Sequence, residues 1–172
     1  IPDSVTTIEG YAFYNCSGLT GNLTIPNSVT TIEYSAFQNC SGFTGDLIIP
    51  DSVTTIGQDA FRNCFGFTGN LLISNSVAVI GNSAFKYCSG FTGDLVIPDS
   101  ATTIQNYAFE ACSGFTGNLN IPDSVTKLGY AAFSDCSGIT DITIGTGVAE
   151  IGDNAFYVSS KTMTKLDTEN EV

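Results

Sequence analysis

Six cysteines stand at 16, 40, 64, 88, 112 and 136, each 24 residues after the last. The pair Ala-Phe recurs with the same step at 12–13, 36–37, 60–61, 84–85, 108–109 and 132–133. It returns once more at 155–156, after a step one residue shorter. A period of this length marks a chain built from stacked supersecondary units rather than one globular core. The unit reads I-P-D-S-V-T-T-I-x-x-x-A-F-x-x-C-S-G-F-T-G-N-L-x and then returns to Ile. One unit cannot bury its own apolar face, so the units must stack. Seven rungs at about 4.8 Å give a span of roughly 30–35 Å.

Each part of the unit has a local reading. Leu23-Thr24-Ile25 alternates apolar and polar and predicts a short strand with Leu and Ile inward. Pro26 ends it by removing a backbone donor, and Asn27-Ser28 is turn chemistry. Val29-Thr30-Thr31-Ile32 predicts a second extended segment with its threonines toward water. Ala36, Phe37 and Cys40 fall at i, i+1 and i+4, which predicts a short helical turn stopped by Gly42. Phe43 and Leu47 lead into the next strand. Stacking then gives two apolar ladders. One is Ile25-Ile49-Ile73-Ile97-Ile121-Ile144, the other Phe13-Phe37-Phe61-Phe85-Phe109-Phe133-Phe156. Core packing explains the Phe ladder better than a ligand slot does.

The Leu-x-x-x-Leu-x-Ile crossing resembles a leucine-rich repeat with one extra residue. The last crossing, Ile139-Thr140-Asp141-Ile142-Thr143-Ile144, lacks that residue. With I-P-x-S-V-x-x-I, then Ala-Phe, then Cys, the unit is similar to the BspA-like leucine-rich repeat family over residues 1 to 158. The resemblance implies a right-handed parallel β-solenoid with short strands and short helical turns. It also implies an extracellular or cell-surface setting and, for several members, adhesion to host matrix or plasma proteins. The departures are local: Ser74 and Gly145 replace the proline, Ala101 replaces Val, and Ser159 stands at the seventh cysteine position. Residues 1–158 are expected to form the seven-unit solenoid. Residues 159–172 are polar and read as a cap, with Met163 and Leu166 as a last strand, or as a linker. Ile1-Pro2-Asp3 enters a unit midway, so the sequence reads as a piece of a longer protein, with any targeting signal upstream.

Charge narrows the partners. The formal net charge is −12, with only Arg62, Lys86, Lys127, Lys161 and Lys165 basic. Binding a phosphate backbone needs Lys and Arg, so no nucleic acid is expected. No run approaches the roughly 20 apolar residues of a membrane helix, so no membrane insertion is expected in this segment. The acidity serves solubility, with a preference for basic partners as a secondary reading.

Catalytic chemistry is hard to place. The chain has no histidine, which removes the commonest general base and every Ser-His or Cys-His arrangement. Glu9 and Glu33 occupy equivalent positions in adjacent units and read as a solvated pair rather than an acid/base couple. The Thr-Gly-Asn/Asp steps are turn glycines, not a phosphate loop. No enzyme activity and no cofactor are expected.

Cys16, Cys40, Cys64, Cys88, Cys112 and Cys136 should form a buried ladder of parallel side chains. Their Cβ separation near 5 Å exceeds the roughly 3.8 Å of a bridge, so no disulfides are expected. Without His or C-x-x-C, no metal site is expected from them. Asp and Asn flank every strand: Asn22, Asp46, Asn70, Asp94, Asn118 and Asp141 before it, Asp3, Asn27, Asp51, Asn75, Asp99 and Asp123 after it. Calcium between units is one reading. Turn residues bonding their own backbone is the preferred one, because no dense acidic ligand set repeats. The sequons at Asn15, Asn22 and Asn39 are accounted for by a composition rich in Asn and Ser.

A ligand site is sought where the repeat is free to vary. The outward strand positions are Thr24, Ile48, Leu72, Val96, Asn120 and Thr143, aliphatic in the middle and polar at the ends. An apolar patch with a polar rim is the pattern of a binding site for a protein, or a glycan, on the sheet face. The strand preference of aliphatic residues is the competing explanation. A second variable row, Tyr14, Gln38, Arg62, Lys86, Glu110 and Ser134, reads as solvated surface. The alternative to recognition is a structural spacer, since near-identical units carry little surface information.

Overall fold

A computed structural model describes residues 1–159 and 166–168. Its strands are β1 (Thr7–Ile8), β2 (Thr31–Ile32), β3 (Leu47–Ile49), β4 (Thr55–Ile56), β5 (Leu71–Ile73), β6 (Val79–Ile80) and β7 (Asp94–Val96). They continue as β8 (Thr103–Ile104), β9 (Thr116–Ile121), β10 (Lys127–Leu128), β11 (Ile139–Ile144), β12 (Glu150–Ile151) and β13 (Leu166–Thr168). All pairings are parallel, and apart from register shifts in β7–β9 and β9–β11 they join equivalent residues of successive units, such as Ile32 with Ile56 and Leu47 with Leu71. The chain is a parallel β-solenoid in which each 24-residue unit makes one turn.

The longest sheet is not the one built on Leu-x-Ile. The short Thr-Ile segments carry it: β1-β2-β4-β6-β8-β10-β12 form one seven-stranded sheet. From β1 to β10 their Ile or Leu side chains are buried, as Ile32, Ile56, Ile80, Ile104 and Leu128 are, whereas Ile151 of β12 is exposed. The Leu-x-Ile strands form two shorter sheets, β3-β5 and β7-β9-β11-β13. Leu23–Ile25, expected as a strand, takes no regular strand pairing, and the crossing before it carries an isolated bridge from Gly21 to Phe43. Met163, in the expected last strand, lies outside the described residues. Leu166 stands opposite Ile142 on β11.

The expected helical turn is corrected. No α-helix occurs among the described residues. Ala36 to Cys40 is a run of tight turns, with Ser35 and Asn39 at φ of 52° and 63°. Gln38 N–H donates to Ser35 O and Cys40 N–H to Phe37 O, at 3.2 and 3.1 Å. The alternate donors leave the unit: Ser35, Phe37 and Asn39 N–H reach Gln58 O, Ala60 O and Arg62 O, each at 2.8 Å. A helix would turn every donor back on its own segment. Here half of them join neighbouring units, and the left-handed residues aim them there.

The extra residue of the crossing can be identified. In Thr116-Gly117-Asn118 the glycine sits at φ +72°, as do Gly21, Gly45 and Gly93 at +84°, +74° and +76°. Thr140 is followed directly by Asp141, so the residue missing from the last crossing is this left-handed glycine. The β9–β11 ladder absorbs the loss as a register shift between Ile139 and Asp141. A different glycine is required by closeness. A Cβ on Gly90 would run into the carbonyl oxygens of Phe65 and Phe67 in the preceding unit.

Inside, the Phe ladder is a continuous stack. Ring centroids are 5.0, 5.2, 5.4, 5.3, 5.3 and 5.6 Å apart from Phe13 to Phe156, and adjacent planes are within 10°. A second stack, Phe43-Phe67-Phe91-Phe115, runs beside it at 6.0, 5.2 and 5.6 Å. Such spacings are those of offset-stacked rings. Cys40, Cys64, Cys88, Cys112 and Cys136 are buried, Cys16 in the first unit is only half-buried, contrary to the expectation, and all six cysteines are free thiols. Cys64 Sγ donates to Phe37 O, Cys88 to Phe61 O, Cys112 to Phe85 O and Cys136 to Phe109 O, each at 3.0 Å. Each thiol thus ties its unit to the one before.

Candidate recognition face

In β3 the pattern is buried, exposed, buried: Leu47 and Ile49 enter the core and Ile48 leaves it. The period of two along a strand forces this, and the repeat copies it in every unit. Ile48, Leu72 and Val96 are 55%, 49% and 62% exposed, high values for large aliphatic side chains. Thr24 and Asn120 are exposed and Thr143 is half-buried. The structure sets Ile48 opposite Leu72, and Val96, Asn120 and Thr143 in successive register. It does not join the six into one sheet. β5 and β7 form no ladder, and Thr24 lies outside the regular strands. At that break Ile73 is half-buried, although its equivalents Ile49 and Ile97 are buried.

Two shallow grooves mark this side. One, of ≈ 520 Å³, has Thr24, Ile48 and Leu72 on its floor and Asn22, Asp46 and Asp51 on its edges. The other, of ≈ 590 Å³, lies along Asn120 and Thr143 with Asp99 and Asp123 beside them. Asp46 and Asp123, expected to bond their own turns, instead accept from the backbone of the next unit. Asp46 Oδ1 accepts from Asn70 N–H and Asp123 Oδ1 from Thr146 N–H, both at 2.6 Å. Among the described residues no group of three or more His, Cys, Asp or Glu is arranged to hold a metal ion.

The opposite, turn side is richer than the single variable row suggested. Lys86 Nζ lies 2.6 Å from Glu110 Oε2 and over the rings of Tyr107 and Tyr87, at 4.5 and 5.0 Å. Arg62 pairs with Asp59 at 3.3 Å, and Ser134 is buried. So the row is partly packed. All seven tyrosines fall in the stretch between the Thr-Ile strand and the cysteine position, at 11, 14, 34, 87, 107, 130 and 157. Tyr11 meets Tyr34 edge-on at 5.0 Å and Tyr107 meets Tyr130 at 5.2 Å. Glu33 Oε2 accepts Gly10 N–H at 3.0 Å, a structural bond to the preceding unit rather than half of a carboxylate couple. Asn39 Nδ2 donates to Asn15 Oδ1 at 2.6 Å, so these two sequon amides are bonded to each other. Phe65 is also exposed, at 54%. Its signal is the break of Cys-Ser-Gly into Cys64-Phe65-Gly66.

Period, parallel rungs and an outward strand row together define a leucine-rich-repeat solenoid. The chain belongs to the BspA type leucine-rich repeat family, whose model matches residues 1–116 and 79–172 in 6 copies. Among solved structures it is similar to a leucine-rich repeat protein from Bacteroides ovatus, with 23% identity and a TM-score of 0.44 over 88% of this chain and 50% of that one. It is also similar to a leucine-rich cell surface protein from Faecalibacterium prausnitzii, with 20% identity and a TM-score of 0.35 over 91% of this chain and 69% of that one. The chain thus spans about half the length of the Bacteroides protein. No curated protein matches it. Among the described residues no helix is long and apolar enough to cross a membrane.

Proposed function

We propose that this stretch is an extracellular recognition module that binds a protein ligand on its strand face. The observation that carries the reading is the run of three large aliphatic side chains, Ile48, Leu72 and Val96, each about half exposed or more. An ordinary strand preference would repeat along all units. Here the run gives way to Thr24 at one end and to Asn120 and Thr143 at the other. Apolar centres with polar edges are what protein ligands bury. The surface setting is carried over from the cell surface protein of Faecalibacterium prausnitzii. The reading assigns no catalytic residue and no cofactor. The second reading, a spacer, is favoured by the near-identity of the units.

The test is binding of the purified chain to extracellular matrix proteins, plasma proteins and glycans, with and without calcium. An Ile48→Lys/Val96→Lys variant is run in parallel. Both positions are exposed, so the variant keeps its thermal midpoint. Saturable binding of a protein is expected to weaken at least tenfold in the variant, about 1.4 kcal/mol or more. Binding that survives the two lysines unchanged removes the face. A chain that binds nothing in the panel moves the spacer reading ahead.

A further inference from the structure

We infer that the occupant of the strand face is a cationic amphipathic helix of a partner protein, lying along the solenoid axis. This rests on the reading above and adds the chemistry and shape of the ligand. The apolar stripe Ile48-Leu72-Val96 crosses two rung steps, about 10 Å. Two turns of an α-helix rise about 11 Å. A helix with apolar residues at i, i+3/i+4 and i+7 therefore sets one of them near each rung.

Charge fixes the flanks. Asp46 and Asp94 lie on one side of the stripe, and Asp51, Asp99 and Asp123 on the other. No lysine or arginine stands between them. Among the described residues the three such side chains are paired elsewhere: Arg62 with Asp59, Lys86 with Glu110 and Lys127 with Glu150. Asp46 and Asp51 are five residues apart, about 16 Å of extended chain. A helix about 10–12 Å wide fits between the two rows and places Lys or Arg over each. The backbone argues against a strand as occupant. Within β3–β5 and within β7–β9–β11 the facing N–H and C=O groups serve their ladders, and although β5 and β7 form no ladder they lie in contact, too close to admit an inserted strand. The face offers side chains only, so a helix that satisfies its own backbone suits it better than a segment needing an open edge.

The experiment uses the whole chain and three helical peptides about three heptads long. One carries a Leu stripe flanked by Lys, one the same stripe flanked by Glu, and one the Lys composition with the stripe scrambled. Affinity is measured by calorimetry at low and high salt, with Ile48→Lys/Val96→Lys and Asp51→Asn/Asp99→Asn as variants. The Lys-flanked peptide is expected to bind saturably, at least tenfold tighter than either other peptide. It should lose at least tenfold in the lysine variant and severalfold in the Asn variant or at high salt. Equal binding of the Glu-flanked or scrambled peptide overturns the inference, and so does no binding of the Lys-flanked one. If a panel protein still loses binding in the lysine variant, the face stands and only the helix falls. If the peptide ignores the lysine variant, both fall.

Discussion

Replacing Phe85 by Ala is expected to remove about 3–5 kcal/mol of stability, read as the shift of the urea midpoint at unchanged thermal baseline. The ring is fully buried and stacked between Phe61 and Phe109, at 5.4 and 5.3 Å. In a globular core, neighbours from several directions collapse part of a cavity. In this stack the neighbours above and below are held by backbone bonds, Phe61 N–H to Ala84 O and Phe85 N–H to Ala108 O, both 2.8 Å. The gap therefore stays open, which places the cost at the upper part of that range. Position matters as well. Stability of a solenoid is a sum of units and nearest-neighbour interfaces, so a lost ring in the middle weakens two interfaces at once. Phe156, half-buried and stacked on Phe133 alone among the rings, should cost less than half as much when cut to Ala. The m-value of Phe85→Ala should also fall as the two halves uncouple. Equal costs at the two positions would falsify the nearest-neighbour account. Such a result would favour a ladder that tolerates vacancies, as a ligand slot does.

The ladders were legible because they are written as identity at a fixed step. Phe37, Phe61 and Phe85 need no more than their spacing to be placed over one another, and the same holds for the cysteines. The outward strand row was legible for a similar reason: Leu47, Ile48 and Ile49 alternate with a period of two, and no other face is free. The missing residue of the last crossing was visible as a count, although its nature as a left-handed glycine needed the backbone. The turn after the Thr-Ile strand was not legible. Ala36, Phe37 and Cys40 sit at spacings that a helix and this run of turns share. The difference lies in where the donors of Ser35, Phe37 and Asn39 go, and their acceptors are 23 residues away. Asn or Asp at Asn39, Asp59 and Asn63 favours a left-handed φ, but nothing local announces it at Ser35, Ser83 or Ala131. The turn-side tyrosines escaped because they occupy several positions of the unit. Reading one position at a time, as Tyr14 to Ser134 was read, dissolves a surface that exists only in three dimensions. Sheet continuity escaped likewise, since whether β5 pairs with β7 depends on a fit between rungs that side-chain type does not encode.

The largest effect is expected from alkali. Burial pushes the Cys88 and Cys136 thiols up to about 12 and Cys40 up to about 11. Burial also raises Cys64 and Cys112 well above the ordinary value, with their neighbouring thiols adding to it. In the unfolded chain a thiol ionises near about 8.5. Above that pH the unfolded state has released a proton that the folded state keeps. Stability is therefore fully present below about pH 8.5 and is lost as pH rises toward the folded values. Each thiol contributes a slope of up to about 1.4 kcal/mol per pH unit, and five together approach about 7 kcal/mol per unit. A domain's whole stability is about 5–15 kcal/mol, so unfolding near pH 10 at 25 °C is expected. Urea midpoints from pH 7 to 10 measure the slope, and thiolate absorbance should appear together with the loss of circular dichroism. Cys88→Ala removes one titrating group and should reduce the slope by one proton. It leaves Phe61 O with the Cys64 N–H donor it already has, at 3.2 Å. Thiolate absorbance rising in a chain that keeps its native dichroism would sink the argument, because the thiols would then ionise without leaving the core. The same physics bears on function. A thiol held protonated at neutral pH is a poor nucleophile and a poor target for oxidants. The five buried thiols can therefore serve as core packing without being drawn into disulfide exchange.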